Sequence, residues 1–458
     1  MKQRTRIEEG HGRQGAAFDV IGIGFGPANL SLAVCMKEPP ESCAHVPRAL
    51  FLDRKPAYEW HPDMLLEGAE IQVPFFKDLV TMRNPRSHFS FLNYLHLHDR
   101  LLDFINLRTF FPTRREFNHY YCWVAAQLAD LVRYDREVLA VRPVEGDDGI
   151  ELLQVVARHC ATGQLEELLT RNLVMATGGA PHIPPGVEVA RDGKVFHSQS
   201  FLSAVKRHFP QSDAPYRFVV VGSGQSAAEI FQYLFLHYPS AEVTAAIRRF
   251  AYKPADESHF VNELYSPLMT DFIYDLPEAE RRSLFATHSD TNYSAVDIEL
   301  IRSIFKALYE MKVAGETRVK LRSMVELRKI EPHGEGVVVT LWNKVEGRLE
   351  RLEADGVVLA TGLHRPRRHP LLGELEHYLR TRGEEYQVGR DYRIESVPEL
   401  KPAIYLQGFC ESTHGLADPV LSILPSRSRE IMESLVGLCA AGENAVASQD
   451  PALARAAV

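Results

Sequence analysis

Short apolar runs that break into glycine and resume at helical spacing set the rhythm of the chain. In Phe18-Asp19-Val20-Ile21-Gly22-Ile23-Gly24-Phe25-Gly26-Pro27-Ala28-Asn29-Leu30 the pattern predicts strand, tight turn and helix, the helix continuing to residue 36 until Pro39-Pro40 stops it. A second strand, 49–52, ends at Asp53. Residues 58–89 have no clear period and read as a long loop, whereas 89–95 and 115–134 have the spacing of helices laid over a sheet. A strand at 173–177 runs into Gly178-Gly179, and Pro181, Pro184 and Pro185 mark a linker. The opening pattern then returns, as the buried-type run 218–221, the turn Gly222-Ser223-Gly224-Gln225-Ser226-Ala227 and a helix over 227–236. Further strands are expected at 242–247, 355–362 and 403–406, and a last helix at 427–439.

Glycines at the end of a strand let backbone N–H groups approach an anion, and the positive end of the following helix points at the same place. The second turn is a complete G-x-G-x-x-A fingerprint, while in the first Pro27 stands where a third glycine is usual, so a plain tight turn is its alternative. Asp53, 27 residues after Gly26, supplies a carboxylate at the end of the second strand, where a ribose is bound in such folds. Gly22 and Gly222 stand 200 residues apart, and one sheet has one such switch point. The expected fold class is therefore α/β, with two Rossmann-like dinucleotide-binding domains and a small, mostly helical inserted region. Arg248-Arg249 follow the strand at 242–247 where an acid would favour NAD. Cations there suit a 2′-phosphate and so NADP, the alternative being a solvated basic loop.

Composition narrows the classes. At 458 residues the chain exceeds one ordinary core, and 45% apolar with 24% charged residues is globular usage. A formal charge of −8 argues against a nucleic-acid partner. No run reaches the ~20 apolar residues of a membrane span, and the polar start lacks a secretion signal. Six scattered cysteines without a C-x-x-C pair suggest reduced thiols in the cytoplasm, with no metal site and no disulfide framework.

Two stretches carry further candidate chemistry. The loop 58–89 holds Trp60-His61, Gln72, Phe75-Phe76-Lys77-Asp78 and Arg83-Asn84-Pro85, a mixture that reads either as a surface loop with buried aromatics or as a functional one. The polar insertion 252–323 carries Asn262 and Thr291-Asn292-Tyr293-Ser294, whose uncharged side chains suit a small polar ligand, although Thr291 and Ser294 read equally as helix caps.

Taken together, Gly22-Ile23-Gly24-Phe25-Gly26-Pro27-Ala28-Asn29, Gln72-Val73-Pro74-Phe75-Phe76-Lys77-Asp78-Leu79, Gly222-Ser223-Gly224-Gln225-Ser226-Ala227, Phe260-Val261-Asn262-Glu263, Thr291-Asn292-Tyr293-Ser294 and His414-Gly415-Leu416 resemble the flavin-dependent N-hydroxylating monooxygenases of siderophore biosynthesis. The resemblance spans residues 18 to 440 and is nearest to the L-ornithine N5-monooxygenases. It implies FAD- and NADPH-dependent N-hydroxylation of ornithine's terminal amine through a C4a-hydroperoxyflavin, with molecular oxygen as co-substrate. The implied FAD contacts are Gly22, Gly24, Pro27, Asp53, Trp60, His61 and Gln72, and the implied NADPH contacts Gly222, Gly224, Gln225, Ser226 and Arg248. Lys77 and Asn262 match residues that grip the amino-acid carboxylate, Asn292 one near the α-amino end, and Ser422 a further substrate contact. No side chain is required as an acid or base. A cytoplasmic homotetramer is implied as well.

The resemblance also implies the units: a tail at 1–16, an FAD-binding domain from 17–205 and 366–445, an NADPH-binding domain from 214–256 and 324–365, a substrate region at 257–323 and a tail at 446–458. Three departures bear on substrate length. Leu363 stands where tyrosine is usual, Pro74 where serine is usual, and Ala417-Asp418-Pro419 is nearer the lysine and diamine N-hydroxylases. L-lysine, putrescine and cadaverine are the alternatives. A flavin disulfide reductase would need a cysteine pair that the spacing does not offer.

Overall fold

The computed structural model describes residues 16–43, 45–187 and 193–449, with side chains up to residue 438. Of the expected tails, 1–15 and 450–458 lie outside the described residues, and 446–449 continue the last helix.

Two five-stranded parallel sheets organise the chain. The first runs Ala403–Leu406, Asn172–Met175, Val20–Ile23, Ala49–Leu52, Val132–Arg133. The second runs Val319–Arg322, Glu242–Ala246, Arg217–Val221, Gly356–Leu359, Val195–His197. In each, the strand that leads into a glycine turn is central, so both turns open at the carboxyl edge of a sheet, the usual ligand crevice of such folds. The two Rossmann-like units expected from the turns are present, with the helices His259–Asn262, Leu268–Asp275, Glu278–His288 and Ile298–Val313 between strands of the second.

Strand alternation explains the packing of the second sheet. Val220, Val243 and Val358 face the Gln225–His237 helix and pack with Ile230 and Leu234, while Val219, Val221, Val357 and Leu359 face Val337, Val339 and Leu341. The latter three belong to an antiparallel meander, Val325–His333, Gly336–Asn343 and Arg348–Ala354. A similar meander, Arg136–Gly146, Gly149–His159 and Leu165–Thr170, packs Val141, Leu153 and Val155 into the core of the first sheet. Each fully buried side chain of this kind is worth about 1.5–3 kcal/mol, so both sheets are closed on two faces by large apolar contributions.

Three expectations shift. The helix at 115–134 ends as Arg114–Gln127, and Val132–Arg133 becomes the edge strand beside Phe51 and Leu52. Val195–His197, counted with the first unit by its boundary at 205, is a strand of the second sheet, and Phe196, Phe201 and Phe209 pack in the second core. Val319–Arg322, counted with the substrate region, is the opposite edge of that same sheet. Both strands are short and flank a sheet already complete in its fingerprint, so sequence gives them no separate signature. In the expected linker, Ala180–Pro181 pairs with Leu363–His364.

Candidate active site

The first turn fits a pyrophosphate. Gly24 has φ +84°, and a Cβ there would stand 2.5 Å from the Ala176 carbonyl oxygen, so the position demands glycine. Gly26 caps the helix Pro27–Lys37 with open space around it, and the start of the helix leaves N–H groups without intrahelical partners. Pro27 opens that helix, where a missing N–H costs nothing and φ is already suitable. That is why proline can replace the third glycine. Asp53 is buried, and its carboxylate accepts from Phe25 N at 2.7 Å and Lys55 N at 2.9 Å, so it also fixes the shape of the turn.

The second turn repeats the geometry. Gly222 has φ +147°, with Ala360 O 2.3 Å from a notional Cβ, and Gly224 caps Gln225–His237. The Gln225 amide is used inside the protein, accepting from Asp297 N at 2.8 Å and donating to Glu229 at 2.9 Å, which leaves its backbone and that of Ser226 for a ligand. Arg249 is committed to Asp290 at 2.8 Å, whereas Arg248 is exposed and makes no ion pair among the described residues. Glu229 itself takes both arms of Arg114, at 2.8 and 2.9 Å, in a nearly buried pair that ties the first unit to the second fingerprint helix.

The loop after the second strand of the first sheet carries the next candidates. Trp60 packs edge-on to Tyr121 with ring centroids 5.2 Å apart, and its backbone N–H is held by Asn118. His61 follows in a left-handed conformation, φ +48°. Its ring is open at its own surface yet surrounded by protein at a distance, and burial with the Arg114, Lys55 and Arg365 charges lowers its pKa to about 4. Gln72 is exposed on the same loop.

Lys77 is set by its neighbour Asp78. The Asp78 carboxylate, 1% exposed, accepts the N–H groups of Val80, Thr81 and Phe91 and the Thr81 hydroxyl, pinning the loop to the Phe91–Leu97 helix. Lys77 is half-buried, forms no ion pair among the described residues and has its pKa lowered by burial, partly offset by the nearby charge of Glu263. Asn262, next to Glu263, is exposed, and its amide donates to Glu257 O at 3.1 Å. Tyr265 and Thr291 hydroxyls meet at 2.6 Å, joining this segment to the loop of Asn292. Thr291 also donates to His288 O at 2.6 Å, so it does act locally on the backbone, while the Ser294 backbone lies against Gly224 and shelters the second turn.

The loop reaches a cleft as well. Tyr293 donates to Glu411 at 2.5 Å, and Glu411 lines this cleft, of about 290 Å³, with Arg365, Tyr386, Gly408 and Phe409. Arg365 Nε is buried there without a hydrogen-bond partner among the described residues. Burial raises the pKa of Glu411, the Tyr293 hydrogen bond and the Arg365 charge opposing it, and burial lowers that of Lys77. Sequence reasoning passed over Glu411 and Arg365, which stand singly and have no spacing pattern to mark them, and it gave Asp78 no role of its own. Ser422 is buried in the turn before the last helix, and among the described residues no hydrogen bond joins it to Lys77, Asn262 or Asn292. No three His, Cys, Asp or Glu side chains among the described residues converge as a metal site, and no helix there is long and apolar enough to cross a membrane.

Comparison with known proteins agrees with this fold. The sequence model for L-lysine 6-monooxygenase/L-ornithine 5-monooxygenase matches residues 16–365. The chain is 41% identical to L-ornithine N(5)-monooxygenase of Pseudomonas aeruginosa over 437 residues, 95% of this chain and 97% of the relative. It superposes on the ornithine hydroxylase PvdA structure from that organism with a TM-score of 0.85 at 40% identity, covering 93% and 100% of the two chains. The ornithine N-hydroxylase of Kutzneria sp. 744, described with reduced FAD, NADP+ and L-ornithine, matches at a TM-score of 0.86 and 38% identity, covering 92% and 99%.

Proposed function

The chain belongs to the L-lysine 6-monooxygenase/L-ornithine 5-monooxygenase family, and from that premise we propose that it hydroxylates the side-chain amine of L-ornithine with FAD, NADPH and dioxygen, for a hydroxamate siderophore. The observation that carries the choice of an amino acid over a diamine is Lys77. A half-buried cation with no ion pair among the described residues calls for an anion, and ornithine brings a carboxylate where putrescine and cadaverine bring none. Ala417 and Asp418, in the stretch that departs from the ornithine pattern, are 2% and 0% exposed, which weakens them as reporters of substrate length.

In this reading the first turn, with Gly22, Gly24 and Pro27, takes the FAD pyrophosphate, while Asp53 faces the ribose and Trp60, His61 and Gln72 flank the flavin. Gly222, Gly224 and the backbone of Gln225 and Ser226 take NADPH, whose 2′-phosphate pairs with Arg248. When bound, reduced FAD supplies the oxygen-transfer chemistry. The chain's own task is to present a neutral amine. An alkyl ammonium has a pKa near ~10.4, and only the deprotonated nitrogen is nucleophilic. Removing the bound amine from water favours this neutral form, because burial disfavours a charged ammonium. Lys77 and Asn262 hold the carboxylate, Asn292 the α-amino end, and Ser422 adds a further contact, so the terminal nitrogen is the free one. The test is hydroxylamine formation from ornithine, lysine, putrescine and cadaverine by the purified FAD enzyme. Ornithine should give most product, and a diamine in that place would overturn the assignment.

A further inference from the structure

A chain of buried polar groups joins the first glycine turn to the segment that lines the cleft. Asn29 Nδ2 donates to Gly24 O at 2.6 Å, and Asn29 Oδ1 accepts from Gln407 Nε2 at 2.8 Å. Gln407 Oε1 accepts from Arg427 Nε at 3.2 Å, and Arg427 Nη1 donates to both the backbone oxygen and Oδ1 of Asp418, at 2.6 and 2.8 Å. The other Asp418 oxygen accepts from Cys410 N at 2.7 Å, one residue before Glu411, which holds Tyr293. Asn29, Gln407, Arg427 and Asp418 are all at most 2% exposed.

A buried ion pair is a poor device for stability, because a well-packed apolar pair of similar volume does as well or better. What it can supply is geometry. The planar guanidinium addresses Gln407 and Asp418 at a fixed angle, which a lysine ammonium cannot do. The two ends it fixes are the turn assigned above to FAD and the 410–418 segment that carries Glu411, His414 and Asp418. We propose that Arg427 is a positioning residue for the reaction, keeping the glycine turn and the 410–418 segment in one register so that flavin and amine meet in the cleft. This rests on the function proposed above.

Arg427→Lys, prepared as the full-length FAD enzyme, tests it, with Asp418→Asn as a second variant and Arg429→Lys, in the surface pair with Glu433, as control. The expected results for Arg427→Lys and Asp418→Asn are an altered visible flavin spectrum, several-fold weaker FAD retention and a several-fold lower yield of hydroxylamine per NADPH oxidised, with the KM for ornithine changed little. Arg429→Lys should match the parent. If the folded variants keep the parent's spectrum, FAD affinity and coupling, or if both variants fail to fold, the network is structural and the proposal falls. If the parent hydroxylates no amine, the ornithine assignment fails by itself, while the flavin spectrum and FAD dissociation still report on Arg427.

Discussion

Replacing Lys77 by alanine removes the cation on which the choice of substrate turns. The loop itself should survive, since its shape is set by the four hydrogen bonds to Asp78 and not by Lys77, whose side chain makes no ion pair among the described residues. What is lost is a charge-assisted contact to a carboxylate, worth about 1.5–3 kcal/mol in a partly buried setting. At 1.36 kcal/mol per decade this is roughly a 10- to 150-fold rise in the KM for ornithine. Putrescine and cadaverine have no group for Lys77 to hold, so their KM should move by less than about threefold, and losing a like charge could even favour them. The assay is hydroxylamine formation against substrate concentration, with NADPH oxidation in the absence of amine as a control that should not change. Equal losses for ornithine and the diamines, or an unchanged KM for ornithine, would refute the carboxylate role.

Other consequences are independent of substrate. Arg248→Ala should raise the KM for NADPH roughly tenfold or more while leaving that for NADH alone, since the arginine is exposed, forms no ion pair among the described residues and is suited to the 2′-phosphate. Glu229→Ala strands Arg114 at the junction of the two units and should cost about 3–5 kcal/mol in thermal or denaturant unfolding, whereas the double change Arg114→Met with Glu229→Leu should recover most of it. His414 is fully buried, donating to Arg390 O at 3.1 Å and accepting from Thr413, and burial depresses its pKa to about 4. The unfolded ring titrates near ~6.5, so its contribution to stability is intact above that pH and fades as pH falls towards about 4. Unfolding measured across this window should show a shallower acid slope for His414→Gln than for the parent, and parallel curves would contradict the assignment.

The sequence reveals most where one residue type is physically required. Both glycine turns were legible because Gly24 and Gly222 occupy conformations and clearances that a Cβ forbids. The central strands were legible because they are buried on both faces and read as unbroken apolar runs. Less was legible where the signal is short or isolated. The two meanders alternate over 136–170 and 325–354, but their partly exposed faces carry mixed polarity, and the edge strands Val132–Arg133 and Val195–His197 are too short for a period. Asp78 and Arg427 look like ordinary loop and helix-surface charges in sequence. Only the tertiary structure shows that one is an anchor for a loop and the other lies at the centre of a buried network. Beside Asn292, the side chain that reaches the 410–418 segment is Tyr293, which no spacing pattern marks.

Amine hydroxylation coupled to NADPH is tested most directly by measuring hydroxylamine formed per NADPH oxidised by the purified FAD enzyme in air-saturated buffer with saturating ornithine. A ratio approaching one, with NADPH oxidation much slower when ornithine is left out, is the expected result. Equal NADPH oxidation with and without ornithine, yielding hydrogen peroxide and no hydroxylamine, would contradict it.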